Sequence, residues 1–137
     1  MSDETPPRVG SLDHVTLVVR DLDVSRRFFV DVLGMTQVPR PSFSFDGMWL
    51  ESGSTQVHFI EEHENSSPAG NLVPESRRHG PTNHIAFAVQ DAGAFVDRLG
   101  QLSVPILSGP VPRPDGAVQV FLNDPDGHVV ELCSRAS

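Results

Sequence analysis

The sequence predicts an α+β fold of two tandem βαβββ modules, and three observations carry that prediction. A strand-like segment, HVTLVV, opens at His14, and a matching one, HIAFAV, opens at His84, 70 residues later. Each ends in a polar pair containing aspartate, Arg20-Asp21 and Gln90-Asp91, and each is followed by apolar residues at helical spacing. The segments that close the two halves, QVHF from Gln56 and VVEL from Val129, stand 73 residues apart. Repetition at a near-constant offset decides the architecture before any single element does.

Residues 1–11 are polar, carry the adjacent prolines Pro6 and Pro7, and read as a flexible arm. The β-branched run His14–Val19 is the first strand. Val24, Phe28, Phe29, Val32 and Leu33 share one helical face, so a helix is expected over 24–33, capped by Asp23 and stopped by Gly34. Strands follow near 36–39, 48–51 and 56–60, the last two separated by a Gly-Ser turn signal. Residues 61–83 hold three prolines and two glycines without apolar periodicity, and read as a connector. The second half repeats the order: a strand over 84–89, a helix over 94–102, and strands near 105–107, 118–123 and 129–133. A single domain over 12–134 is therefore expected, with module one at 12–60 and module two at 84–134. The matching tripeptides Phe29-Val30-Asp31 and Phe95-Val96-Asp97 imply an offset of 66, and the strand register overrides them.

Side chains alternate between the two faces of a strand, so parity sorts them. His14, Thr16 and Val18 oppose Val15, Leu17 and Val19; His84, Ala86 and Ala88 oppose Ile85, Phe87 and Val89. His58 opposes Val57 and Phe59, and Glu131 opposes Val130 and Leu132. The bulky faces are expected to pack on their helices, because a sheet must bury one face against another layer. That leaves His14, His58, His84 and Glu131 on the other face, with small Thr16, Ala86 and Ala88 making room beside them. Three imidazoles and a carboxylate suit Fe, Ni, Co, Mn or Zn as divalent ions, in a site with positions left open for substrate. His63 and His79 in the connector and His128 in the turn Asp126-Gly127-His128 read as surface residues. Cys133 shares the Glu131 face, and no base at a recognisable spacing makes it a nucleophile.

Composition excludes other classes. The longest apolar run is five residues, Ile85 to Val89, against the roughly 18 a membrane span needs. Ten basic against eighteen acidic residues give a net charge of −8, which argues against nucleic acid as a partner. A single cysteine cannot form an intrachain disulfide, and the polar N-terminus lacks the pattern of a signal peptide, so a cytoplasmic setting is expected.

The segments LDHVTLVVRDLDVSRRFFVDVLGM, NHIAFAV and FLNDPDGHVVEL together resemble the vicinal oxygen chelate superfamily, which holds glyoxalases, extradiol dioxygenases, fosfomycin-resistance enzymes, methylmalonyl-CoA epimerase and bleomycin-binding proteins. The resemblance spans about residues 12–134, and the pattern from Asp124 to Leu132 is typical of its glyoxalase-like branch. It implies curved mixed sheets that form a metal-binding cleft, one divalent metal ion held by His14, His58, His84 and Glu131, a small-molecule substrate and a homodimer. It also implies proton transfer beside a carbonyl, in isomerase or lyase chemistry, with Glu131 and His58 as the catalytic pair and Thr16, Trp49, Ala86 and Arg113 around the substrate.

Three departures point away from glutathione-dependent glyoxalase I: His58 stands where that enzyme has a carboxylate or amide, Val18 where an arginine grips glutathione, and Glu61-Glu62 where an asparagine is expected. Arg40, Arg77, Arg78 and Arg113 are the cations left to hold an anionic substrate. The parity of Trp49 stays open. Two alternatives are carried forward: an Fe(II) ring-cleaving dioxygenase that uses His14, His84 and Glu131, and a protein that sequesters a small molecule or antibiotic.

Overall fold

The computed structural model describes residues 5–70 and 83–135. The elements run β1 (His14–Val19), α1 (Leu22–Arg26, continued by a π-helical turn over Arg27–Val32), β2 (Thr36–Val38), β3 (Gly47–Ser52), β4 (Thr55–Glu61), β5 (Ile85–Ala88), α2 (Ala92–Gln101), β6 (Ser108–Pro112), β7 (Val118–Asn123) and β8 (Val129–Ser134). They form two four-stranded mixed sheets of the same plan, β1-β4-β3-β2 and β5-β8-β7-β6. In each, a helix carries the chain from the first strand to the opposite edge of the sheet, β1 to β2 and β5 to β6, and two antiparallel steps bring it back to a parallel pairing of β4 with β1 and of β8 with β5.

Both helices start on an aspartate two or three residues after the preceding strand. Asp21 accepts from the backbone N–H groups of Asp23 and Val24, and Asp91 from that of Ala94. The cap of the first helix is thus Asp21 and not Asp23, because the chain reaches helical dihedrals two residues earlier than the apolar pattern does. The caps stand 70 residues apart, as His14 and His84 do. At that spacing Phe29 corresponds to Leu99, and both are fully buried, so the tripeptide match at 66 is coincidental. The expected α-helix to residue 33 instead widens after Arg26, and the Leu33 N–H donates to the Phe28 carbonyl, five residues back. The wider turn brings the consecutive rings of Phe28 and Phe29 into the core together. Gly34 ends it at φ +83°.

The largest departure from the sequence reading lies before β7. The strand expected near 105–107 is displaced to Ser108–Pro112, where the register against β7 slips between Ser108 and Val111. Apolar Ile106 packs against the core without joining the ladder. Apolar faces of both sheets and both helices contribute to one core, in which Phe29, Phe59, Met48, Leu50, Leu122 and Leu132 are almost completely buried.

The two halves are also joined by polar contacts. Arg20, at the end of β1, donates to Asp126 Oδ1 from both its backbone N–H (3.1 Å) and its guanidinium (3.2 Å), and Asp126 lies in the turn before β8. In the same turn Asp124 accepts from the N–H groups of Asp126 and His128 and meets His128 Nδ1 at 2.7 Å. His128 is consequently buried at 4% exposure, which corrects its reading as a surface residue. His63 is exposed, and His79, Arg77 and Arg78 lie outside the described residues.

Candidate metal and substrate site

Register places the candidate residues directly. In the first sheet Thr16 pairs with His58 and His58 with Trp49, so all three share a face, together with His14 and Gln56. That settles the parity of Trp49. Its indole lies parallel to the His58 ring at 4.0 Å with 3° between planes, and the His14 ring stacks on the other side at 3.9 Å. Asp13 Oδ1 sits 2.7 Å from His14 Nδ1, and Gln56 Oε1 sits 2.8 Å from His58 Nε2. Burial lowers the His58 pKa from its usual 6.5, and positive charge on His14 and Arg40 lowers it further against the opposing pull of Asp13. His58 is therefore biased toward the neutral imidazole, the form that offers a lone pair.

In the second sheet Ala86 pairs with Glu131 and Glu131 with Phe121, while Ala88 pairs with Cys133 and Cys133 with Gln119. Glu131 is 3% exposed, and both its oxygens are engaged: Oε1 lies 3.0 Å from His84 Nε2, and Oε2 accepts from Gln119 Nε2 at 3.0 Å. Phe121 closes over the pair with its ring edge-on to His84 at 5.5 Å. A hollow of about 390 Å³ opens here, lined by His84, Ala86, Arg113, Gln119, Glu131 and Cys133. Arg113 is held bidentately by Asp115, at 2.9 and 2.6 Å, and its Nη1 stands 3.9 Å from Cys133 Sγ.

The four expected ligands are thus brought together as two pairs, His14 with His58 and His84 with Glu131. Among the described residues no three His, Cys, Asp or Glu side chains converge in one place. The sequence reading missed Asp13, Gln56, Gln119 and Phe121. Parity alone could have found Gln119 and Phe121, which lie on the Glu131 face of the neighbouring strand. Gln56, two residues before His58 on the same strand face, was open to the same parity argument, whereas Asp13 precedes its strand and leaves no periodic signal.

The Arg113–Asp115 pair sets a pH expectation. The guanidinium hydrogen bond, aided by the Ala117 N–H, holds the Asp115 carboxyl at about 2 against an ordinary 3.8. A lowered acid pKa gives stability that is present above 3.8 and lost as the pH falls toward about 2. A carboxyl carbon NMR titration should place the Asp115 midpoint near 2, and Arg113→Ala should return it toward 3.8. A midpoint that stays put in the variant shows that the guanidinium is not the cause.

The Glyoxalase/Bleomycin resistance protein/Dioxygenase superfamily model matches residues 11–132, and so takes in both sheets and all four candidate ligands. The chain belongs to this superfamily. Among curated relatives, Glyoxylase I 4 of Arabidopsis thaliana is 30% identical over 134 residues, covering 94% of this chain and 73% of that protein. Mitochondrial methylmalonyl-CoA epimerase of Bos taurus is 27% identical over 130 residues, covering 90% of this chain and 74% of the epimerase. A solved glyoxalase family protein from Bacillus anthracis has the same fold, with a TM-score of 0.76 at 22% identity, covering 96% of this chain and all of its own. The superfamily includes lyases, epimerases and transferases, so membership supports enzyme activity in general. No helix among the described residues is long and apolar enough to cross a membrane.

Proposed function

We propose that the protein is a divalent-metal-dependent enzyme of the glyoxalase-like type that moves a proton beside a carbonyl of a small oxygenated substrate, in isomerase or lyase chemistry. The observation that carries this reading is the pair of half-sites, one on the polar face of each sheet at matched positions of the repeat. Their donors fit a borderline divalent ion such as Ni, Zn, Fe, Co or Mn. Asp13 against His14 Nδ1 is the carboxylate–imidazole arrangement that orients a ligating histidine. His58, biased to its neutral form, is suited to donate a lone pair.

A divalent ion bound there supplies Lewis acidity toward a carbonyl group. Glu131 is the proton carrier: Gln119 holds one of its oxygens and His84 steadies the other. His58, with its ring fixed between His14 and Trp49, is the second proton carrier, and Thr16, Ala86 and Arg113 border the substrate. Each chain offers two ligands per half-site, and a second copy of the chain supplies the complementary half, in a cytoplasmic homodimer. The names of the relatives, a glyoxylase and an epimerase, agree with proton-transfer chemistry.

Metal analysis of protein purified without chelator tests the reading. The wild type should hold stoichiometric divalent metal that His84→Ala and Glu131→Gln lose. A wild type that takes up no stoichiometric metal on reconstitution overturns the enzyme reading in favour of small-molecule sequestration. Oxygen uptake with catechols replaces proton transfer by ring cleavage.

A further inference from the structure

Beside the His58 half-site lies a smaller hollow of about 100 Å³, to which the loop between β2 and β3 contributes Arg40, Phe43 and Phe45. Trp49 and His58 form its opposite wall. The Arg40 guanidinium lies over the Phe43 ring at 4.7 Å and near the Phe45 ring at 5.2 Å, and donates from Nη2 to the Phe45 carbonyl at 3.0 Å. Phe43 and Phe45 stack at 5.4 Å, and Phe43 reaches Trp49 at 6.3 Å. The guanidinium also packs against the bare backbone of Gly47, where a Cβ would stand 2.9 Å from Nη2. A cation held between rings and a glycine is oriented before any ligand arrives.

Arg20, Arg26 and Arg113 each pair with an aspartate, whereas Arg40, like Arg98, makes no ion pair among the described residues and donates to backbone carbonyl oxygen. One of its five N–H donors is spent on a carbonyl, which leaves a fork suited to an oxyanion. Arg40 and His58 line the same hollow, so an anion on Arg40 sits within range of the reacting end of a substrate. Phe43 is 47% exposed, so its ring is accessible from the hollow's open side.

We infer that this hollow is a specificity pocket for an aryl anion, with the ring against Phe43 and Trp49 and the anionic group on Arg40. The inference rests on the metal-dependent reading for which end of the substrate reacts, and the pocket itself requires no metal.

The test is titration of the protein as purified without chelator with benzenesulfonate, an aryl anion that is a poor metal ligand, followed by the NMR resonance of the single indole N–H, Trp49. A saturable shift is expected, and affinity should fall by at least about tenfold for methanesulfonate, for benzyl alcohol and in Arg40→Gln. Arg40→Lys keeps the charge without the fork and should fall between. If Arg40→Gln does not fold, the lysine variant and the three ligands decide. Arg40→Gln binding within about twofold of the wild type, or methanesulfonate binding as well as benzenesulfonate, overturns the pocket. His84→Ala separates the two readings. Metal lost with the titration intact supports both; metal retained sinks the metal site and leaves the pocket standing; titration lost along with metal overturns the pocket as a separate element.

Discussion

Mixing the His14→Ala and His84→Ala variants should restore metal binding that neither variant holds alone. Each variant breaks one half-site: the first damages the His14–His58 pair, the second the His84–Glu131 pair. When a metal is held by the first half of one copy and the second half of another, a mixed dimer contains one site with both lesions and one with none. Random exchange then yields about a quarter of the wild-type sites, read by metal analysis after mixing and desalting. Halves that close within one chain yield no recovery, because every chain in the mixture carries a lesion. Loss of one ligand should weaken binding in each separate variant by well over the roughly 10- to 100-fold that losing an outer-shell partner costs. The contrast between variants and mixture is therefore large, and needs no knowledge of the substrate.

The largest stability effect is expected at Phe29→Ala. Phe29 is fully buried in the widened turn after α1, edge-on to Phe28 at 4.9 Å and tilted against Phe59 at 4.9 Å. Removing it deletes the ring that joins the helix to the centre of the first sheet, at a cost of about 3–5 kcal/mol. Typical domains are stable by about 5–15 kcal/mol, so the variant should melt roughly 10–20 °C lower. Phe43→Ala, on a ring 47% exposed, should cost under about 1 kcal/mol in the same urea or thermal unfolding series. Equal losses at the two positions show that the turn collapses around the cavity or that Phe43 is packed more tightly than its exposure indicates.

Much of this fold was legible because its strands advertise themselves. His14–Val19 and Val118–Asn123 emerge with the expected ends, since β-branched residues in alternation fit one conformation well. The repeat then supplied the topology, and parity assigned His14, His58, His84 and Glu131 to their faces. The failures have particular causes. β6, with the sequence SGPVP, pairs in spite of its composition: two prolines and a glycine at a sheet edge lack propensity, and only the β7 partner makes them a strand. His128 is buried because Asp124 gathers three donors in a tight turn, a tertiary outcome that the string Asp-Gly-His does not announce. Arg40, Phe43 and Phe45 come together through the path of a loop, and loops carry no periodicity to read.

The column His14–His58–Trp49 has an optical consequence. The chain contains one tryptophan, and that indole lies flat against a candidate ligand at 4.0 Å. A protonated or metal-bearing imidazole at that separation draws excited-state electron density from the indole and dims its emission. All tryptophan fluorescence of this protein therefore originates beside the His14–His58 half-site. The molecule carries its own lamp there, and the brightness of that lamp reports the charge state of His58 without any added label.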